Sequence, residues 1–250
     1  MTANDGRTLL VEELPDRVVA TLNRPDARNA IDERMVDELH ALCAELERAP
    51  RILIITGADG VFASGADIAE LRERRAADAH RGINAAIFSR VAALPMPVIA
   101  ALDGYALGGG AELAYAADFR IATPRLRIGN PETGLGIIAA AGALWRLPEL
   151  VGEPLAVEIV LAGRILTGEE ALEARLVTEL HDPADLLPAA HALADRIAAN
   201  DPLATQYTKA VLHARRAEHP AAEREAQAVL FESPEKQRRM TDFLEKRRRR

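Results

Sequence analysis

Short apolar runs of strand length alternate with amphipathic helical patterns as far as about Leu180, and from Pro183 onward only helical patterns remain. Alternation of this kind argues for an α/β layered domain, with a helical region appended at its C-terminal side. Arg51–Thr56 and Val98–Leu102 are almost wholly apolar, which suits strands of a sheet covered on both faces. Thr8–Glu13, Arg17–Asn23 and Phe119–Ala122 are further strand candidates, the first two separated by the turn-forming Leu14-Pro15-Asp16. Asp32 to Arg48 reads as a helix, because Met35, Val36, Leu39, Leu42, Cys43 and Leu46 recur at the spacing of one helical face. Helical patterns also cover Asp67–Arg75 and Ala79–Leu94. Past the alternating region the expected helices are Pro183–Ala199, Pro202–Arg216, Ala221–Phe231 and Pro234–Arg249. Asp201-Pro202 and Ser233-Pro234 are start signals, with proline at the first helical position.

Composition narrows the function classes. Hydrophobic residues make up 49% and charged residues 28% of the 250 positions, which excludes a disordered chain, a collagen-like repeat and a coiled-coil rod. Aromatics are only 4%, so the core must be aliphatic. A net charge of −7 argues against nucleic-acid binding through a basic face. The single cysteine, Cys43, excludes an intramolecular disulfide and a multi-cysteine metal site, and its leucine neighbours point to a buried, inert thiol. The first residues have neither a basic stretch nor an apolar one, and no apolar run is long enough to span a bilayer. The expected location is therefore the cytoplasm, with no membrane partner.

Three segments place backbone or carboxylate groups where an apolar pattern would not require them. Phe62-Ala63-Ser64-Gly65-Ala66-Asp67 leaves an apolar strand and enters a helix, and its small residues let a ligand approach the backbone near the Ala66 amide. Taken alone it reads as a plain strand–turn–helix junction with Asp67 as N-cap. In Gly104–Leu113, three consecutive glycines (Gly108–Gly110) open a helix and present unencumbered N–H groups at the positive end of its dipole. It has neither the Gly-Lys-Ser/Thr of a phosphate-binding loop nor a dinucleotide fingerprint. Glu112 sits in the first turn of that otherwise apolar helix, where dipole stabilisation and catalysis are equally good readings. Gly129–Ile138 carries Glu132, the only charge between Arg127 and Arg146. This carboxylate is either exposed on a Gly/Pro-rich turn or poised in a pocket with a raised pKa. Two carboxyl groups can hold a water and manage its protons, while two amides stabilise an enolate-like oxygen. The histidines (His40, His80, His181, His191, His213 and His219) lie in polar settings and form no competing set.

These segments, in this order, resemble the crotonase family, the enoyl-CoA hydratase/isomerase superfamily. The resemblance covers essentially the whole chain. It begins at Leu22-Asn23-Arg24-Pro25 and Asn29-Ala30, runs through FASGAD, ALGGGAEL and NPETGLG, and continues at Leu161–Ile165 and Met240–Arg247. It implies a crotonase spiral of ββα units over residues 1–190 and a helical trimerisation region over 191–250, as a homotrimer or dimer of trimers. It implies an oxyanion hole made by the amides of Ala66 and Gly109 around the thioester carbonyl of an acyl-CoA. Glu132 would deliver a proton to the α-carbon, and Glu112 would help deprotonate water attacking the β-carbon. Coenzyme A contacts would come from Asp26, Ala27, Arg28, Ala63, Ala66, Asp67 and Ile68, and from Phe243 and Lys246 of a neighbouring subunit. Arg24 and the Lys246–Arg250 cluster would offset the overall negative charge near coenzyme A.

The implied reaction is reversible hydration of a trans-2-enoyl-CoA to a 3-hydroxyacyl-CoA in fatty-acid or related acyl-CoA degradation. It needs no metal, flavin or nicotinamide, because the thioester itself activates the alkene. The rivals are a Δ3,Δ2-enoyl-CoA isomerase using Glu132 alone, and a catalytically weak acyl-CoA- or RNA-binding relative. Three positions depart from the family pattern. Ala69 stands where lysine is frequent, Ala140 replaces a glycine beside the water site, and Arg175 stands where glycine usually ends a helix.

Overall fold

The computed structural model describes residues 7–248. Its strands are β1 (Leu9–Glu13), β2 (Arg17–Leu22), β3 (Ile52–Gly57), β4 (Val98–Leu102), β5 (Tyr105–Leu107), β6 (Phe119–Ala122), β7 (Arg127–Gly129) and β8 (Leu166–Thr167). The first half holds helices α1 (Glu33–Arg48), α2 (Ile68–Glu73), α3 (Ala76–Arg81), α4 (Ile83–Ala92) and α5 (Gly109–Tyr115). Then come α6 (Ala143–Val151), α7 (Glu153–Ala162), α8 (Gly168–Glu173) and α9 (Leu186–Ala198). Finally α10 (Pro202–Leu212), α11 (Ala221–Phe231) and α12 (Pro234–Arg248) close the chain.

One sheet runs in the order β1-β2-β3-β4-β6, antiparallel at β1/β2 and parallel thereafter. All five residues of β4 and the first four of β3 are buried, as expected for strands covered on both faces. A smaller sheet, β5-β7-β8, was not foreseen, because strands of two or three residues carry no alternation to read.

Helix α1 forms as its pattern predicts. The Asp32 carboxylate caps it by accepting the Met35 amide at 2.8 Å, and all six apolar residues of the expected face are buried. Leu39 is fully enclosed, so truncating it to alanine would cost about 2–5 kcal/mol. Cys43 is buried as expected, and burial pushes its thiol up to about 11. The helix expected over Ala79–Leu94 is instead two, α3 and α4, divided at Gly82. That glycine takes a φ of +61°, a left-handed conformation that ends a helix.

Two anchors hold the Phe62–Asp67 strap beside α1. The buried Asn29 amide donates to the Ala58 and Val61 carbonyls at 2.9 and 2.6 Å. Arg24 bridges the Asp32 and Asp67 carboxylates at 3.1 and 3.0 Å, joining the caps of α1 and α2. The described chain forms two compact units, the first ending at Ala194 and the second beginning at Asp195. No helix among the described residues is long and apolar enough to cross a membrane.

Candidate active site

The backbone donors come from two segments that the small sheet draws together. Ala63 pairs with Ala106 of β5, its amide donating to the Tyr105 carbonyl at 2.9 Å and its carbonyl accepting the Leu107 amide at 3.0 Å. This carries Ala66 to the start of α5. Gly108 turns the chain there with a φ of +50°, and its amide donates to the Gly129 carbonyl at 2.9 Å. A Cβ at Gly109 would sit 3.4 Å from the Ala66 nitrogen, so the two segments meet at this point, and both residues line the cavity. Gly109 begins the helix and has no intrahelical acceptor, and among the described residues neither amide has a hydrogen-bond partner.

Both glutamates reach the same place. Glu112, on α5, is 3% exposed, and its Oε1 accepts the Ala141 and Ala143 amides at 2.7 and 3.1 Å. Glu132 follows the Asn130-Pro131 turn and is 9% exposed, so the exposed-turn reading of this residue does not hold. Its Oε1 accepts the Asn130 amide at 3.3 Å, while Oε2 is buried with no partner. Gly108 lies so close that a Cβ there would be 3.2 Å from Glu132 Oε1. Asn130 is held in turn by the Tyr115 hydroxyl, which donates to its Oδ1 at 3.0 Å.

Burial dominates the electrostatics. It pushes the Glu112 carboxyl up to about 7; the Ala143 and Ala141 amides and the nearby Arg146 oppose this, and the Glu132 charge adds to it. Burial raises Glu132 as well, against the Asn130 hydrogen bond. Arg146 is itself buried, stacks on Trp145 at 4.1 Å and leaves Nη1 without a partner. A site whose two carboxyls are both displaced upward can keep one protonated and one ionised, as acid–base work on a single water requires.

Both glutamates, Ala66 and Gly109 line one cavity of about 610 Å³. Leu71, Ile83, Leu107, Leu135, Ile137 and Ile138 supply much of its apolar wall. The geometry offers a carbonyl oxygen two amide donors, an apolar chain a pocket, and a water two carboxyl groups. Residues 17–250 match the enoyl-CoA hydratase/isomerase family. The chain belongs to this family. It is 35% identical over 249 residues to a short-chain-enoyl-CoA hydratase of Clostridium acetobutylicum, covering 96% of this chain and 95% of that one. It is 34% identical over 249 residues to a crotonyl-CoA hydratase of Syntrophomonas wolfei, covering 96% of each. The crystal structure of an enoyl-CoA hydratase from Bacillus anthracis superposes with a TM-score of 0.90 at 31% identity, over 96% of both chains. The architecture is thus the crotonase fold, with helices at its C-terminal end.

Within this family fold the remaining expected residues divide. Ile68 lines the cavity and is 59% exposed. Asp26, Ala27 and Arg28 lie outside the lining, but their turn is tied to Ser64 of the cavity wall. The Ser64 hydroxyl donates to the Ala27 carbonyl at 3.3 Å, and its amide to the Arg28 carbonyl at 3.1 Å. Ala63 is a correction: it is fully buried, both its backbone groups are taken by β5, and it offers no surface to a ligand. Asp67 caps α2 and pairs with Arg24, so its role is to hold the strap, and Arg24 is committed to two carboxylates instead of being free for coenzyme A. Phe243 and Lys246 lie exposed on α12, in the second unit. Arg249 and Arg250, the end of the expected basic cluster, lie outside the described residues. Ala140 lines the cavity, while the amides that reach Glu112 belong to Ala141 and Ala143. Sequence reasoning missed Asn130, Tyr115 and Arg146. Only Asn130 had a signal, standing two residues before Glu132 in the segment already singled out. Among the described residues no cluster of side chains is suited to hold a metal ion.

Proposed function

We propose that this protein hydrates short trans-2-enoyl-CoA thioesters to 3-hydroxyacyl-CoA, with Glu112 and Glu132 sharing the water. The observation that carries this reading is the convergence of two buried carboxyl groups and two unpartnered amides on one cavity. The thioester oxygen accepts from the Ala66 and Gly109 amides, and each such donor is typically worth about 3 kcal/mol as negative charge develops. Glu112 has Oε1 anchored by two amides, which leaves Oε2 to take a proton from water as its oxygen bonds to the β-carbon. Glu132 delivers a proton to the α-carbon, from a carboxyl whose hold on that proton burial strengthens. The β-carbon gains the water's hydroxyl and the α-carbon the Glu132 proton; the proton left on Glu112 returns to Glu132 to close the cycle, and no redox step or cofactor is called for. Asp26, Ala27, Arg28 and Ile68 are proposed to flank coenzyme A at the cavity, joined by Phe243 and Lys246 of a neighbouring subunit.

The protein is proposed to act in the cytoplasm as a homotrimer or a dimer of trimers. Exposed Leu144, Trp145, Val157 and Leu161 on α6 and α7 support assembly, because isolated chains seldom leave so many large apolar side chains in water together. The decisive experiment follows the absorbance of the conjugated thioester on mixing with crotonyl-CoA. Turnover by the wild type that falls at least about a hundredfold in both Glu112→Gln and Glu132→Gln supports the two-glutamate hydratase. Activity on a 3-enoyl-CoA that survives Glu112→Gln would assign the site to double-bond isomerisation instead.

A further inference from the structure

One side of the cavity wall is polar in a way that hydration of a plain acyl chain does not require. Arg74, Arg75, Asp78 and Asn84 all line it. Asp78 is already occupied, accepting the Arg75 amide at 2.8 Å and Arg81 at 3.2 Å. Arg74 is not. Its side chain is 19% exposed, and Nε is buried with no hydrogen-bond partner. Its carboxylate neighbours are Asp78, which it influences only through space, and Glu70, and its direct contacts are long. Nη1 lies 3.4 Å from Asn84 Oδ1, and Nη2 lies 3.9 Å from Glu70 Oε2, an oxygen that also accepts the Glu33 amide at 3.0 Å. A guanidinium has five donors and seeks paired acceptors, and with only long contacts at Nη1 and Nη2 these two groups retain the capacity for a carboxylate. Its place relative to the reacting carbonyl is set by Asn84, whose Nδ2 lies 3.4 Å from where a Gly109 Cβ would stand. Asn84 thus spans from the amide pair to the arginine.

We infer that the cavity is shaped for short enoyl-CoA thioesters whose far end carries a carboxylate, with Arg74 receiving it and Asn84 positioning the guanidinium. The inference rests on the acyl-CoA reading of the site and adds the class of acyl group. An arginine serving only to brace Glu70 would be expected to meet it at ordinary hydrogen-bond distance and to leave no buried donor idle. A carboxylate drawn from water into this wall is favoured only if the guanidinium neutralises it, which makes Arg74 decisive for choosing between charged and uncharged chains.

The test compares hex-2-enedioyl-CoA with trans-hex-2-enoyl-CoA, which have the same length and the same coenzyme A. The expected result is a higher kcat/KM for the diacid thioester in the wild type. In Arg74→Gln the ratio of the two should fall roughly ten- to hundredfold, mainly through KM, as for loss of a charge-assisted hydrogen bond. Arg74→Lys, which keeps the charge and loses the fork, should fall between. Calorimetric binding of the saturated pair, adipyl-CoA and hexanoyl-CoA, reads the same ratio without turnover, so it still decides the matter should hydration itself not be observed. A wild-type preference for the uncharged chain would overturn the inference. So would an Arg74→Gln ratio equal to that of the wild type, since an arginine serving the coenzyme A phosphates or the fold affects both ligands alike.

Discussion

At the scale of single residues, burial has moved two carboxyl groups away from their ordinary titration, and Glu112 shows the consequence most directly. Its ordinary value of 4.5 rises to about 7 in the folded chain. Between those values the folded state holds a proton that the unfolded chain releases, so stability falls as pH rises through that window. The contribution is fully present below about 4.5 and lost above about 7. At about 1.4 kcal/mol per unit, ionising Glu112 takes about 3 kcal/mol from the folded state. Glu112→Gln cannot ionise and can still accept the Ala141 and Ala143 amides. It is therefore expected to gain about 3 kcal/mol on the wild type between pH 4.5 and pH 8, measured by urea unfolding. Parallel stability curves for the two proteins would show that Glu112 titrates normally. The catalytic counterpart is an acid limb near pH 7, where protonation of Glu112 removes the base. That both glutamates were candidates was legible in their apolar surroundings, while the roles proposed for them came from the family resemblance. The orphan Oε2 of Glu132 and the amides that anchor Glu112 were not legible, because those depend on how Asn130, Ala141 and Ala143 pack around the carboxyls.

At the scale of elements, glycine and proline punctuation told the truth where it was present and misled where it was read too lightly. Gly82 divides a pattern that periodicity alone joined into one helix. Arg175 is the converse case. Helix α8 ends at Glu173, and Arg175 then takes a φ of +58°, the conformation glycine adopts at helix ends without steric penalty. The turn is well used, since the Leu176 and Val177 amides donate back to the Ala171 carbonyl at 2.8 and 3.1 Å. A left-handed non-glycine residue carries about 1–2 kcal/mol of strain, part of which glycine returns through its freer unfolded chain. Arg175→Gly is thus expected to stabilise the protein by about 0.5–1 kcal/mol, read as a rise of a few degrees in thermal midpoint. A lower midpoint would mean that the arginine side chain makes a contact outweighing the strain. The main-sheet strands and α1 followed the expected spans closely, because buried strands and amphipathic helices write their period into consecutive residues. The small sheet did not, though it is what brings Ala63 and Ala66 to α5.

At the scale of the whole molecule, the apolar side chains left exposed on α6 and α7 call for a partner surface. Leu161, 69% exposed on α7, is far from the cavity lining in sequence and absent from it. If the proposed trimeric assembly uses this face, Leu161→Asp shifts the sedimentation mass from a multiple of three chains toward a single chain, because a buried unpaired carboxylate disfavours an interface by several kcal/mol. An unchanged mass would place the interface elsewhere. By itself, the sequence determined the layered α/β class, the helical C-terminal region and the segments that hold the candidate groups. Those properties are local, carried by periodicity, by turn residues and by small-residue motifs of a few positions. Only the tertiary structure decided that Glu112 and Glu132 line one cavity, that Ala63 lies behind its wall, and that Arg74 joins the lining. Burial and proximity depend on how distant segments pack, and no window of consecutive residues contains that information.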